Sequence, residues 1–255
     1  MGKRLWLAGA VLVATAACAA SARAITNGTV DGNAHPNVGA LYATAQGHPV
    51  PTLFCSGSLI APGVFLTAAH CVAAIAAAPD PHYFVSFAPA PDPSTLVEGT
   101  PVVDPLFSAA KGADPHDIAV IRFDPRARAA TGITPVALAP LGFLDTLIAG
   151  APKGTLLFLD VGYGLTDITA TRDGIRRDAT SGDPKLKDAV WLVLSQNAKK
   201  GFGGTCTGDS GGPEFFGSVQ VSITITGDAD CVRTGTDLRL DTPSAREFLA
   251  PFLAR

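Results

Sequence analysis

Three side chains of this sequence have the types and the order that a nucleophilic site requires. Ser210 stands in a Gly-Asp-Ser-Gly-Gly run, His70 follows Thr-Ala-Ala, and Asp117 opens an apolar run that continues to Ile121. A serine hydroxyl attacks a carbonyl usefully only when an imidazole takes its proton and a carboxylate orients that imidazole. The sequence therefore predicts acyl-transfer chemistry, with Ser210 as nucleophile, His70 as base and Asp117 as orienting carboxylate.

Each of these residues also has a structural explanation when it is taken singly. Glycine, aspartate and serine are ordinary turn residues, an isolated histidine is more often structural, and Asp117 could begin a strand without doing chemistry. The three segments in the order His, Asp, Ser favour a catalytic constellation. The run around Ser210 also fits Gly-x-Ser-x-Gly, the nucleophile elbow of α/β-hydrolases. That fold requires a histidine after the serine, whereas all 5 histidines precede Ser210, so we exclude it.

In residue type, order and approximate separation, the three segments resemble those of the chymotrypsin/trypsin-like serine endopeptidases. The likeness covers nearly the whole chain after Ala24. It extends to Ile25-Thr26-Asn27-Gly28, Phe54-Cys55-Ser56-Gly57-Ser58-Leu59-Ile60, Gly162-Tyr163-Gly164 and the final stretch. It implies an all-β fold of two packed six-stranded antiparallel β-barrels with a C-terminal helix. His70 and Asp117 would come from the first barrel and Ser210 from the second, and the backbone amides of Gly208 and Ser210 would form an oxyanion hole.

The N-terminus predicts export. Lys3 and Arg4 precede an apolar stretch that ends near Ala20, and Ala22-Arg23-Ala24 has the small-x-small form of a signal-peptidase site. We expect this segment to be a signal peptide that is removed after Ala24. The alternatives left open are a membrane anchor, cleavage after Ala22 and lipidation at Cys18.

Removal of residues 1–24 would leave residues 25–255 as one protease domain, whose two barrel halves we expect to meet near residues 130–150. The exported protein would be extracellular or periplasmic. The resemblance implies that the new α-ammonium of Ile25 folds inward and pairs with Asp209, which orders the oxyanion hole and the substrate pocket. Because no long pro-segment separates the signal from Ile25, we expect export itself to produce the competent N-terminus.

The cysteines suit an oxidising compartment. Removal of the signal would leave 4 of the 5 cysteines, an even number with three possible pairings into two disulfides. The resemblance implies that Cys55 pairs with Cys71 and Cys206 with Cys231. The first disulfide would tie the histidine loop to the preceding strand, and the second would brace the nucleophile loop. Each would add about 2–4 kcal/mol to the stability.

The composition favours β structure. The 27 glycines and 20 prolines punctuate short apolar or alternating runs that are typical of strands. The clearest of these runs are 155–159, 189–194 and 218–225. Thr242 followed by Pro243 predicts the start of a C-terminal helix of about ten residues, which would pack on the barrel as structure.

The charge balance argues against nucleic acid as a partner. Without the three basic residues of the signal, 16 basic side chains remain against 22 acidic ones, a formal balance of −6, and no basic stripe is present. The histidines and cysteines lack close metal-ligand spacing, so we expect no metal and no cofactor. We expect a monomer that acts on a protein or peptide substrate, with no membrane contact after signal removal and with a protein inhibitor as a further candidate partner.

The residues at the expected substrate pocket depart from the family pattern. Gly204 stands two residues before Cys206, where trypsin-like members that prefer lysine or arginine carry an aspartate. Thr226-Gly227 replaces a tryptophan-glycine pair, and Ile225 replaces a serine. Together with Thr205, these residues predict an uncharged pocket for a small or apolar side chain.

Three acidic residues could bring a carboxylate to this pocket from another direction: Asp228, Asp230 and Asp237. Because carboxylates are mostly exposed, we expect all three in a solvated loop. The sequence thus predicts a secreted serine endopeptidase that works through an acyl-enzyme intermediate. The alternative is a catalytically silent, protease-like binding protein in which the triad remains but the cleft has changed.

Overall fold

A computed structural model describes residues 25–46, 48–109 and 113–253. The predicted signal peptide, with Cys18, lies outside the described residues. Within these ranges, no helix is long and apolar enough to cross a membrane. Two closed β-barrels and three α-helices form this part of the chain, which confirms the predicted all-β architecture.

The first barrel closes through six antiparallel strands in the order β2-β3-β4-β7-β6-β5. They follow a two-residue strand, β1 (Thr29–Val30). The barrel strands are β2 (Val38–Ala45), β3 (His48–Ala61), β4 (Val64–Thr67), β5 (His82–Ser86), β6 (Val97–Val103) and β7 (Ala119–Arg122). Apolar side chains fill the interior, among them Leu41, Leu59, Phe65, Val85 and Ile121. A short helix, α1 (Ala69–Ala76), follows β4.

The second barrel closes in the order β9-β10-β11-β14-β13-β12, with β12 paired back to β9. A short strand β8 (Ala137–Leu138) runs parallel to β13, and β1 pairs with β10. Helix α2 (Phe143–Gly150) precedes the barrel. The barrel strands are β9 (Leu157–Gly162), β10 (Arg177–Lys187), β11 (Trp191–Ser195), β12 (Pro213–Phe216), β13 (Val219–Gly227) and β14 (Thr234–Arg239).

The predicted C-terminal helix is α3 (Pro243–Leu253). The hydroxyl of Thr242 accepts the N–H of Ala245 at 3.4 Å, so this residue caps the helix as its position before Pro243 indicates. Leu249 is fully buried and packs into the main apolar core. The predicted boundary between the halves, near residues 130–150, falls after the last strand of the first barrel and before β9, and it stays a prediction.

A buried arginine ties the two barrels to the N-terminal segment. Arg176, just before β10, has no exposed surface and pairs with Asp31 at 2.8 Å. Its guanidinium also donates to the carbonyl oxygens of Val38 and Phe87, at 2.8 Å and 3.1 Å. Because these contacts join the first barrel and the N-terminal segment to the start of β10, Arg176 helps to fix how the barrels meet. Removing one partner of a buried ion pair typically costs about 3–5 kcal/mol.

The second barrel encloses three carboxyl groups: Asp160 on β9, Glu214 on β12 and Asp237 on β14. Glu214 accepts hydrogen bonds from the hydroxyls of Ser222, at 2.8 Å, and Thr224. Burial raises the pKa of Glu214 to about 7. Burial, followed by the charge of Glu214, raises the pKa values of Asp160 and Asp237. The expectation that Asp237 lies in a solvated loop is therefore wrong, because its strand turns the side chain into the barrel.

We expect the free energy of unfolding to fall as the pH rises from about 4 to about 7. The pKa of Glu214 rises from 4.5 to about 7 on folding, so between these values the folded chain keeps a proton that the unfolded chain releases. Glu214→Gln keeps the size and removes the charge, and should make the fall shallower. Urea unfolding at a series of pH values checks this, with the exposed Glu247→Gln as control. An unchanged pH dependence in Glu214→Gln would contradict it.

Candidate active site

His70 and Asp117 meet because β4 and β7 are neighbours in the first barrel, with Thr67 opposite Ala119. Asp117 Oδ1 accepts the backbone N–H of His70 at 2.8 Å, and Oδ2 lies 2.8 Å from the ring nitrogen Nδ1. A carboxylate only accepts hydrogen bonds, so Nδ1 carries the hydrogen and Nε2 is left as the basic atom. The side chain of Asp117 is 8% exposed and that of His70 is 36% exposed, so the ring is anchored on one side and open on the other.

The backbone before Asp117 is sharply turned. His116 adopts a left-handed conformation with φ of 51°. The N–H of Ile118 returns to the carbonyl oxygen of His116 at 2.8 Å, and the His116 ring lies 3.2 Å from Asp104 Oδ2. Such a conformation costs a residue other than glycine about 1–3 kcal/mol, which the surrounding contacts must offset. This turn directs the Asp117 side chain toward His70.

The nucleophile loop, residues 206–212, is folded by its own backbone. The N–H of Asp209 bonds to the carbonyl of Cys206 at 3.0 Å, and the N–H of Gly212 bonds to that of Asp209 at 2.8 Å. Within the described ranges, no acceptor takes the N–H of Gly208 or of Ser210. The loop therefore holds two unpaired amide donors next to the Ser210 hydroxyl, as an anion site requires.

Ser56, on β3 of the first barrel, holds the nucleophile loop in place. Its N–H donates to the carbonyl oxygen of Ser210 at 3.0 Å, and its hydroxyl donates to that of Gly208 at 3.0 Å. The same hydroxyl accepts the N–H of Tyr163 at 3.0 Å. Ser56 is fully buried. One serine of the first barrel thus fixes both residues of the second that carry the unpaired amides.

Ser210 and His70 face adjoining cavities. Ser210 lines one of about 250 Å³, and His70 and Asp117 line another of about 770 Å³; Ile225 and Thr226 belong to both. Cys71 Sγ lies 3.8 Å from the carbonyl oxygen of Ser210. In the described part of the chain, no hydrogen bond joins the Ser210 hydroxyl to the His70 ring. The three side chains therefore line two adjoining cavities that share Ile225 and Thr226.

Both disulfides that the resemblance implies are formed, with Cα separations of 6.3 Å for Cys55–Cys71 and 5.2 Å for Cys206–Cys231. The sulfurs of Cys55 and Cys71 lie within 4.8 Å of a ring nitrogen of His70. This group does not fit a metal ion, because both sulfurs are bonded to each other and neither is a thiolate. The first disulfide braces the segment that carries His70.

Asp209 is fully buried beneath the loop. Its carboxylate accepts the N–H of Gly164 at 2.8 Å and of Cys206 at 2.9 Å. Burial nevertheless raises its pKa to about 7, because it outweighs the lowering by these two amides and by the charge of Arg172. The side chain lies against Gly162 and Gly164, where a Cβ atom would overlap the carboxylate, so only glycine fits there. Ile25 is also fully buried, and its N–H donates to the carbonyl of Leu165 at 3.1 Å.

The predicted pocket residues fall into two groups. Thr205, Ile225, Thr226 and Gly227 line the cavity beside Ser210. Gly204 lies behind it, where its carbonyl oxygen accepts the N–H of Thr26 at 2.9 Å. Of the three acidic residues, Asp228 is partly buried and lines the cavity beside Ser210, contrary to the expectation of a solvated loop, and its carboxylate accepts the N–H groups of residues 232–234. The side chain of Asp230 is 57% exposed, as expected.

Three residues near the site escaped sequence reasoning: Ser56, Gln196 and Arg172. Ser56 looks like an ordinary strand residue, and Gln196 stands in a loop with no motif. The Arg172 guanidinium packs against Gly208 and donates to the carbonyl of Leu53 at 2.7 Å. Burial lowers the pKa of Arg172, and the charge of Asp209 opposes that shift. Only the long-range contacts single out these three, so no local signal could have found them.

Comparison with known proteins agrees with this geometry. The protein-family model described as Trypsin matches residues 25–245, which include every residue of the candidate site. A search of curated proteins finds no match to the chain.

We predict that Ser56→Ala destabilises the protein by about 1–3 kcal/mol, because the buried carbonyl of Gly208 and the N–H of Tyr163 lose their partner. Amide hydrogen exchange across residues 206–212 should also accelerate. Ser58→Ala is the matched control, since Ser58 is equally buried on β3 and bonds to Gln220 at 2.7 Å instead of to the loop. Equal acceleration in both variants, or none in Ser56→Ala, would contradict the role assigned to Ser56.

Proposed function

The chain belongs to the trypsin family, and we propose that it is a secreted serine endopeptidase that cleaves peptide bonds through an acyl-enzyme intermediate. The observation that carries the proposal is the double contact of Asp117 with the backbone and the ring of His70, at 2.8 Å each, in the cleft that also holds Ser210. That contact leaves Nε2 as a base directed away from the carboxylate. His35 makes a similar double contact with Asp31, so what distinguishes His70 is that its cavity adjoins the one that Ser210 lines.

In the proposed reaction, Ser210 Oγ attacks the substrate carbonyl carbon while His70 Nε2 takes the hydroxyl proton. The carbonyl oxygen becomes an oxyanion, to which the N–H groups of Gly208 and Ser210 donate. The C–N bond then breaks, and His70 gives its proton to the leaving amine. Water repeats the sequence on the acyl-enzyme and releases the acid. Asp117 orients the imidazole throughout and stabilises its cationic form.

We propose the same uncharged specificity pocket that the sequence predicts. Thr205, Ile225, Thr226 and Gly227 carry no charge in the cavity beside Ser210. Asp228 also lines this cavity, but its carboxylate accepts the N–H groups of residues 232–234 in its own loop. The side chain of the residue whose carbonyl is attacked would enter this cavity, since it adjoins the nucleophile. Export to the extracellular or periplasmic space, action as a monomer and control by a protein inhibitor remain part of the proposal.

Ser210→Ala and His70→Ala should each lower kcat/KM for a cleaved peptide by about 10⁴- to 10⁶-fold, the range found when triad residues of other serine proteases are removed. Asp117→Asn should act mainly on kcat, because it disturbs the tautomer and not the pocket. A mixed peptide library measures the effect, with the exposed Ser218→Ala as the control that keeps full activity.

The catalytically silent binding protein is the competing function, and the missing Ser210–His70 hydrogen bond favours it. Catalytic hydrogen bonds are often long before substrate binds, so that gap does not decide the matter. A fluorophosphonate probe that labels wild type but not Ser210→Ala, together with no peptide or ester turnover, would establish the silent protein. Turnover that Ser210→Ala abolishes would establish the enzyme.

We also propose that cleavage before Ile25 activates the protein by supplying Asp209 with its missing cation. The Ile25 nitrogen already lies at the carbonyl of Leu165, next to Gly164, whose N–H binds the Asp209 carboxylate. A short movement of the freed terminus would bring an ammonium group to that carboxylate. The pKa of about 7 that burial gives Asp209 would then fall.

This proposal predicts a difference between a chain that begins at Ile25 and one that begins at Arg23, the product of the alternative signal cleavage. At pH 7.5 the longer chain should be less stable by about 3–5 kcal/mol, the cost of an unpaired buried charge, and much less active. The difference should shrink below pH 5, where Asp209 is protonated in the longer chain. Urea unfolding and peptide turnover measure it. Full activity in the longer chain would contradict the activation proposal, but it would not contradict the proposed catalytic roles of Ser210, His70 and Asp117.

A further inference from the structure

The cavity beside Ser210 is backed by a buried glutamine. Gln196 follows β11 and is 3% exposed. Its Nε2 donates to the carbonyl oxygen of Thr205 at 3.2 Å and to the hydroxyl of Thr205 at 3.0 Å. Thr205 lines the cavity, whereas Gln196 does not. The glutamine therefore stands one layer behind the wall and is fixed to it by two hydrogen bonds.

Two glycines leave the space that this side chain fills. A Cβ atom at Gly204 would overlap the Gln196 side chain. A Cβ atom at Gly235, at the start of β14, would lie 3.0 Å from Gln196 Nε2 and 3.3 Å from Thr205 Oγ1. Gln196 therefore fills the space between these two glycines.

The carboxyl of Asp237 also lies near Gly235, on the side of the barrel interior. The same hypothetical Cβ at Gly235 would lie 3.7 Å from Asp237 Oδ1. Asp237 is 1% exposed, and its carboxyl contacts that of Glu214, but within the described residues no N–H group or hydroxyl donates to it. The Oε1 atom of Gln196 also lacks a partner there. Unsatisfied buried acceptors are rare, so the free Gln196 Oε1 near this carboxyl pair indicates a place for a donor group.

We propose that Gln196 is a specificity-determining plug: it closes the substrate cavity above the carboxyl of Asp237, so that the enzyme accepts small uncharged side chains and excludes lysine and arginine. The proposal rests on the proposed function and names the substrate class of that site. Without the plug, an ammonium or guanidinium group could pass between Gly204 and Gly235 and pair with Asp237. That pairing would stabilise the ionised form of Asp237, which burial and the neighbouring Glu214 disfavour.

The test compares cleavage after alanine and after arginine in one peptide series. Wild type should favour alanine, and Gln196→Ala should raise the arginine-to-alanine ratio of kcat/KM by about 100-fold or more. Gln196→Met has nearly the size of glutamine and no amide, so it should keep the wild-type preference. Gln196→Ala combined with Asp237→Asn should lose the new arginine cleavage while it keeps cleavage after alanine.

Several results would overturn the inference. Wild-type cleavage after arginine or lysine would show that Gln196 does not close the cavity. An unchanged ratio in a folded Gln196→Ala or Gln196→Ser chain would have the same meaning. Arginine cleavage that survives Asp237→Asn would assign the charge recognition to another group. If both Gln196 variants fail to fold, wild-type cleavage after arginine or lysine would still overturn the plug, and the Gln196→Met variant would test whether side-chain size alone keeps the preference for alanine.

A binding measurement separates this inference from the proposed function. In the Ser210→Ala background no turnover is needed, and benzamidine serves as an amidinium probe of the cavity. Calorimetry should show binding when Gln196→Ala is added, and none for the background alone or after Asp237→Asn is also introduced. If benzamidine binds the Gln196→Ala variant but wild type has no turnover, the plug is supported and the proposed enzyme is rejected. If wild type has turnover but benzamidine does not bind the Gln196→Ala variant, the enzyme is supported and the plug is rejected.

Discussion

The hydrogen bonds of Ser56 are the interaction on which the cleft depends. His70 and Asp117 belong to the first barrel and Ser210 to the second, so their relative position is only as firm as the contact between the barrels. Ser56 bonds to the carbonyl oxygens of Gly208 and Ser210, at 3.0 Å each, from a strand next to the one that leads into the histidine helix. The amides that would hold an oxyanion are thereby oriented by the barrel that carries the base.

Buried carboxyl groups set a second constraint, because each must find partners or stay neutral. Asp209 uses two backbone amides, and Glu214 uses two hydroxyl groups. Asp237 has neither, and its neighbour is the carboxyl of Glu214. Asp209 shapes the nucleophile loop, Glu214 supports the barrel, and Asp237 is the acid that we propose lies behind the substrate cavity. One physical cost, the desolvation of a carboxylate, therefore links stability, activation and specificity in this chain.

Much of the fold was predictable from the sequence, and the finer parts of the site were not. Alternating runs located β11 and β13, the Thr242-Pro243 pair located α3, and the family resemblance supplied the two barrels. Asp237 was misjudged because the average exposure of carboxylates says nothing about a strand that points one of them inward. The positions of Ser56 and Gln196 depend on residues more than a hundred positions away or on the path of a loop, so no local pattern encodes them.

The central claim is that the two barrels bring a base, a nucleophile and two amide donors to one carbonyl group. A crystal structure of the protein treated with a peptide trifluoromethyl ketone tests it most directly. We predict a covalent bond from Ser210 Oγ, with the new oxyanion about 2.7–3.1 Å from the nitrogens of Gly208 and Ser210, and with His70 Nε2 in hydrogen-bonding contact with Oγ. An adduct on another residue, or an oxyanion that faces solvent, would contradict the account.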